Sequence, residues 1–221
     1  MEIKTGLLPN ASNYRQGRVE DIKYIVIHYT GNKGDTALNN VKYFANNVTK
    51  TSAHFFVDEN NIYTSVPASD TAWHCGGGLQ GSKGHEWYGI CKNSNSIGIE
   101  LCLMDKNGNV RRGTVDSATE LTRYIMKKYN IGSENVIRHF DVTGKNCPMP
   151  YVAEPELWKN FKAELEEKGM SETEHINYII DLIGKDISEI KQHLDRIEKE
   201  NSRQNEIINL IGQDIEELKK R

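Results

Sequence analysis

His28, His139 and Cys147 carry the side chains best suited to hold a transition metal, because imidazole and thiolate together form a donor set that suits zinc. Each follows or ends a short apolar run. IKYIVIHYT, from Ile22 to Thr30, contains His28 at its exit; NVIRHF, from Asn135 to Phe140, contains His139; the loop DVTGKNCPMP that follows contains Cys147. Three protein ligands leave a fourth tetrahedral position open, which is the mark of a catalytic rather than a structural site. An open zinc site lowers the pKa of bound water toward ~7 and so supplies hydroxide for attack on an amide carbonyl. Spacing alone does not single out this set. Seven histidines in 221 residues leave many chance pairs, and a histidine at a strand end is often only a hydrogen-bonded polar residue.

The elements that must position these residues follow from periodicity. Ile22 to Thr30 reads as a buried strand leading into a loop. Ala37 to Asn47 places Leu38, Val41 and Phe44 at helical intervals, and Ser52 to Val66 reads as a hairpin whose strands join at Asp-Glu-Asn-Asn. Asp70 to Ser96 is rich in Gly, His, Trp and Asn and lacks periodicity, so it reads as a long surface loop. Ser96 to Met104 returns to strand, with Ile97, Ile99, Leu101 and Leu103 on one face and Gly98, Glu100 and Cys102 on the other. Glu100 is thereby turned away from the more apolar side. Thr114 to Tyr129 reads as a helix, Asn135 to Phe140 as a strand and Trp158 to Lys168 as a closing helix. The whole predicts an α/β fold with a mixed central β-sheet flanked by helices.

Composition narrows the function classes. The net charge of -3 and an even mix of acids and bases give no basic face for nucleic acid. The N-terminus lacks the basic start and apolar run of a secretory signal, and no stretch approaches the ~18 apolar residues of a membrane span. The expectation is a protein made in the cytosol and soluble there, without membrane insertion. Cys75, Cys91, Cys102 and Cys147 are read as thiols or metal ligands rather than a disulfide framework. Cys75, Cys91 and Cys102 are read as buried thiols, and His85 and Trp87 as surface or loop-packing residues.

Taken together, IVIHYT, SAHFFVDENNIYTSVP, AWHCG, NSNSIGIELC and RHFDVTGKNCP resemble the signature blocks of type 2 N-acetylmuramoyl-L-alanine amidases, a family that has the peptidoglycan-recognition-protein fold and includes phage endolysins. The likeness covers about residues 20 to 160. It implies Zn2+ held by His28, His139 and Cys147, the set that side-chain chemistry also suggests. It implies Glu100 as the acid-base residue, where a carboxylate beside an activated water can take a proton and pass one to the leaving amine. Lys145 matches a family lysine that stabilises a developing oxyanion, although an ordinary loop lysine fits the position as well. Trp73 and His74 fall in the block that lines the substrate cleft, and a tryptophan plugging the core is the competing reading. His54 stands where some relatives follow a catalytic tyrosine, but the preceding residue here is Ala53, which shifts weight to Glu100. His54 is read as substrate-facing or as a buried, hydrogen-bonded histidine. The implied substrate is peptidoglycan, cut between the lactyl group of N-acetylmuramic acid and L-alanine.

The C-terminal quarter is of another kind. Residues 1–168 carry 20 Lys and Arg against 19 Asp and Glu, whereas residues 169–221 carry 8 against 12. Positions 176, 180, 183, 187, 190, 194, 197, 201, 204, 208, 211, 215 and 218 alternate spacings of four and three, and all are Ile or Leu except Asn201 and Gln204. That is a heptad seam. NYIIDLIGKDISEIK returns 28 residues later as NEIINLIGQDIEELK, in phase with the seam. Isoleucine at both core positions favours three or four strands over two, so a homo-oligomer is expected. A turn at Glu200 to Gln204, folding two short helices into a hairpin, is the competing reading. Met170 is a possible internal start. The chain is thus divided into a catalytic domain, 1–168, and a coiled-coil oligomerisation tail, 169–221.

Two rivals accompany the amidase reading: a peptidoglycan-binding module without catalysis, and a zinc peptidase that cuts within the stem peptide. The first lacks support from a sequence that retains all three proposed ligands.

Overall fold

A computed structural model describes residues 1–166 and, further on, residues 180, 183–184, 187–188, 190–191, 194–205, 208, 211 and 215. The chain divides into two compact units, Met1–Glu167 and Lys168–Arg221.

The first unit begins with the short strands β1 (Ile3–Thr5) and β2 (Tyr14–Arg15) and continues with β3 (Tyr24–Tyr29), helix α1 (Ala37–Asn46), β4 (Phe55–Val57), β5 (Ile62–Thr64) and β6 (Thr71–Ala72). It then runs through β7 (Ser96–Leu101), α2 (Arg112–Tyr129), β8 (Val136–Arg138), α3 (His139–Thr143), α4 (Met149–Ala153) and α5 (Pro155–Glu166). Six strands form one sheet in the order β1-β5-β4-β7-β3-β8, and β2 pairs with β6 in a small antiparallel ribbon. The centre is parallel, β3 lying between β7 and β8, while β4 and β5 form the antiparallel hairpin expected from Ser52 to Val66. The sheet is mixed and flanked by helices, as the alternation of patterns predicts.

Side-chain alternation divides the sheet into two faces. Ile25 and Ile27 of β3, Phe55 and Val57 of β4, and Ile97, Ile99 and Leu101 of β7 pack with Val115, Ala118, Leu121 and Ile125 of α2 and with Phe161 and Leu165 of α5. On the opposite face Phe56 and Cys102 pack with Ala37 and Val41 of α1, and Val26 and Ile137 pack with Cys75, Cys91 and Val142. Thr36 caps α1, its hydroxyl accepting from the Asn39 N–H at 3.2 Å. Leu38 is exposed, and α1 turns Ala37, Asn40 and Val41 inward instead.

Several boundaries differ from expectation: β7 ends at Leu101 rather than Met104, α2 begins at Arg112 rather than Thr114, and α5 begins at Pro155 rather than Trp158. The strand predicted over Asn135 to Phe140 stops at Arg138, and His139 opens a helical turn. The cause is Asp141, whose carboxylate accepts from the Arg138 N–H at 2.7 Å and from the Arg138 guanidinium, bending the chain out of the sheet. The stretch from Asp70 to Ser96 is largely irregular, as predicted, but includes β6 and a 3-10 turn at Asn93–Asn95.

In the second unit, residues 194–205 are helical without interruption. Asn201 and Gln204 lie within that helix, which removes the proposed turn at Glu200 to Gln204. The ends of the seam, Ile176 and Leu218, and Met170 lie outside the described residues. Among the described residues no helix is long and apolar enough to cross a membrane.

Candidate metal centre

The parallel register sets the site. His28 of β3 stands beside Glu100 of β7, each next to last in its strand, and Ile27 pairs with Arg138, so the chain leaves β8 at His139 on the other flank of His28. The carboxyl ends of neighbouring parallel strands are where open α/β sheets place ligands, since the connecting loops diverge there. The Phe140 N–H donates to the Cys147 carbonyl at 2.9 Å, and this closes the loop after α3 and returns Cys147 to the same end of the sheet.

One donor atom from each of His28, His139 and Cys147 lies within 4.8 Å of the others, and all three residues are buried. Cys147 Sγ is 3.9 Å from His28 Nδ1, and the imidazoles of His28 and His139 meet edge to face with centroids 4.7 Å apart. Both ring nitrogens of His139 are buried with no hydrogen-bond partner among the described residues. Buried polar atoms are ordinarily satisfied, so a nitrogen left free beside a thiol and a second imidazole fits a cation.

The electrostatics agree. Burial, then His139 and His74, pull the His28 imidazolium well below its ordinary range, and burial with the charge of Lys145 lowers His139 to about 3. Both rings are therefore neutral and able to donate a lone pair. Burial pushes the Cys147 thiol up to about 12, with Glu100 adding to the rise and Lys145 opposing it. A thiol so raised needs a cation beside it to become thiolate.

Glu100 is raised to about 7 by burial, against the lowering effect of Lys145 and with Asp35 adding to the rise. Its Oε2 is buried and unpartnered among the described residues. Lys145 is exposed at the rim, close enough for its charge to act on Glu100, His28, His139 and Cys147.

The remaining sequence candidates sit behind this group. His74 is buried, with Nδ1 3.0 Å from His28 Nε2 and Nε2 3.2 Å from Ser96 Oγ. His54 is fully buried; its Nδ1 accepts from the Gly98 N–H at 3.0 Å, and its Nε2 is 2.8 Å from Arg18 Nη2. With both ring nitrogens of each already facing protein atoms, neither histidine offers a free polar atom to a substrate. The buried, hydrogen-bonded reading describes the surroundings of His54, and His74, expected in the substrate cleft, is enclosed in the same way. Trp73 lines a separate hollow of about 440 Å³ with Arg15, Tyr88 and Asn93, over the thiols of Cys75 and Cys91. None of His28, Glu100, His139 and Cys147 lines it.

Arg18 and Ser96 were not singled out by sequence reasoning. The Arg18 guanidinium donates to the carbonyls of Ala68, Ser94 and Asp70 at 2.8 to 3.0 Å, pinning the long loop over the sheet. No local pattern distinguishes it from the other arginines of the chain.

Known proteins resemble this chain in sequence and in fold. The family model described as N-acetylmuramoyl-L-alanine amidase matches residues 18–150, a span that holds all three donors and Glu100. The chain is 32% identical over 158 residues to the N-acetylmuramoyl-L-alanine amidase BlyA of Bacillus subtilis (strain 168), a match that covers 68% of this chain and 43% of that protein. It therefore spans less than half the length of that relative. Among solved structures, the catalytic domain of XlyA superposes with a TM-score of 0.61 at 30% identity, covering 75% of this chain and 99% of that one. A mutant endolysin from Bacillus subtilis superposes with a TM-score of 0.61 at 33% identity, with the same coverage of 75% and 99%. With a family model matched over more than half its length and a sheet that brings that model's span around one buried donor cluster, this chain belongs to the N-acetylmuramoyl-L-alanine amidase family.

Proposed function

We propose that this chain is a zinc-dependent hydrolase that cleaves the amide bond between N-acetylmuramic acid and L-alanine in peptidoglycan, with His28, His139 and Cys147 holding the metal. The observation that carries the reading is the buried His-His-Cys cluster with Glu100 in register beside it. Zinc, when bound, supplies Lewis acidity that makes water a nucleophile near neutral pH and polarises an amide carbonyl.

The chain's own groups account for the proton movements. Glu100, raised to about 7, is poised to accept a proton from the attacking water and to return it to the departing amine nitrogen, because a general base works best with a pKa near the operating pH. The exposed ammonium of Lys145 supplies positive charge at the rim, where negative charge develops on the carbonyl oxygen. Burial of the cluster keeps bulk water from competing with these groups.

The similarity to an endolysin supports action on the cell wall after release from a host cytoplasm. In this reading residues 1–168 form the catalytic domain and residues 169–221 an oligomerisation tail. The described seam residues support the second part. Ile180, Ile187, Leu194, Ile208 and Ile215 are helical and 47 to 64% exposed in the single chain. A stripe of that kind is covered by copies of itself in water, three or four by the isoleucine rule. Several catalytic domains on one bundle then engage a polymeric wall with avidity.

Metal analysis and wall lysis by wild type beside Cys147→Ala test the site. The expected result is about one zinc per chain and lysis for wild type, with both lost in the variant. Lysis at the wild-type rate by Cys147→Ala rejects the ligand set. Fragment masses identify the bond: an amidase frees intact stem peptides beginning with L-alanine. The solution mass of wild type against Ile187→Asp/Leu194→Asp tests the tail, and a wild-type monomer rejects it.

A further inference from the structure

His74 and Ser96 form a hydrogen-bonded file behind His28 whose directions can be assigned atom by atom. Ser96 Oγ donates to the Lys92 carbonyl at 2.6 Å. A carbonyl only accepts, so the serine hydrogen is committed there and its oxygen remains an acceptor. The His74 Nε2, 3.2 Å from that oxygen, must then carry a hydrogen and donate it. With its one ring hydrogen on Nε2, His74 keeps a lone pair on Nδ1. Its neighbour at 3.0 Å, His28 Nε2, must donate. That leaves the lone pair of His28 on Nδ1, and Nδ1 is the nitrogen 3.9 Å from Cys147 Sγ.

The surroundings hold this file in place. The His74 backbone N–H donates to Asn93 Oδ1 at 3.0 Å, and Asn93 opens the 3-10 turn that leads into Ser96. The ring packs against β7 at Gly98, where a Cβ would stand 2.5 Å from His74 Cγ. Only glycine at that position lets the imidazole reach between Ser96 and His28. His28, Ser96 and His74 are all buried, so water does not compete for these bonds.

We propose that His74 and Ser96 are positioning residues that fix His28 as its Nε2–H tautomer, starting from the Lys92 carbonyl, so that Nδ1 is presented to the metal. The inference rests on the proposed zinc site for its consequence, but the tautomer itself belongs to the metal-free chain. Partners of this kind orient a metal-binding imidazole and commonly change metal affinity 10- to 100-fold.

The test uses the full chain with 15N-labelled histidine. In metal-free wild type, nitrogen shifts are expected to show Nε2–H for both His28 and His74. Zinc affinity by chelator competition is expected to fall about 10- to 100-fold in His74→Phe and about 10-fold in Ser96→Ala. His74→Asn, whose side-chain oxygen can accept from His28 Nε2, should recover most of the loss, which a purely space-filling role of His74 would not produce. Ser96→Ala removes the one oxygen that bonds the Lys92 carbonyl and His74 Nε2 without adding bulk, and keeps the test open if loss of the His74 ring unfolds the domain. His28 protonated on Nδ1 in wild type overturns the proposal, as does wild-type zinc affinity in both His74→Phe and Ser96→Ala. Absence of zinc binding by wild type defeats the proposed function instead, and the metal-free nitrogen shifts still decide the tautomer.

Discussion

On one face of β3 and β7, Ile25, Ile27, Ile97, Ile99 and Leu101 pack without solvent exposure beneath α2. On the other face of the same strands, His28 and Gly98 are buried, with His74 of the long loop against both, and Glu100 is partly buried. Burial has opposite consequences on the two sides. Each isoleucine taken from water contributes roughly 1.5 to 3 kcal/mol. The Glu100 carboxyl, with an unpartnered oxygen, and the His139 imidazole of the neighbouring α3, with two free nitrogens, cost free energy when enclosed, and that cost appears as displaced pKa values. The apolar face supports the polar one. Because strand side chains alternate, a register slip of one residue would exchange the two faces and remove both.

Substitutions on the two faces should therefore fail in different ways. The largest functional effect is expected for Cys147→Ala, with zinc content and wall lysis both reduced to background, measured by metal analysis and turbidity. Glu100→Gln should keep zinc and lower kcat about 10²- to 10⁴-fold, in keeping with the loss of a general base. A Glu100→Gln enzyme with wild-type kcat ends the acid-base assignment.

On the apolar face, Leu121→Ala opens a cavity under β3 and β7 and should lower the unfolding free energy by about 2 to 5 kcal/mol, with kcat per folded molecule unchanged. Denaturant titration and initial rates, taken together, separate the two results. If kcat falls in step with stability, the division of labour between the faces is wrong.

The smallest effect is in the pH dependence of the metal-free protein. Glu100 is raised from 4.5 to about 7 in the folded state, so between those values the folded chain binds its proton more tightly than the unfolded chain. The stability this proton supplies is full below about 4.5 and is lost as pH rises through about 7. In Glu100→Gln that part of the decline should vanish; an identical profile in the variant shows that Glu100 does not carry it.

Much of this arrangement is legible in the chain. Alternation in Ser96 to Leu101 assigns Glu100 to the less apolar face, and the structure places it there because a strand leaves no other option. The hairpin over Ser52 to Val66 and the helix ending at Tyr129 are local patterns and were readable as such. Boundaries set by side-chain capping were less so: the end of β8 depends on an Asp141–Arg138 contact that periodicity does not encode.

By itself the sequence determined the main strands and helices of the first unit (β3, β4, β5, β7, β8, α1, α2 and α5), the two faces of β7, and the donor chemistry of His28, His139 and Cys147. Tertiary structure alone decided that these donors meet, that His74 and His54 turn inward, and that Trp73 lines a different hollow. The reason is distance along the chain. His28 meets His74 across 46 residues and Cys147 across 119, and such contacts are set by strand order and register over the whole sheet rather than by any local pattern.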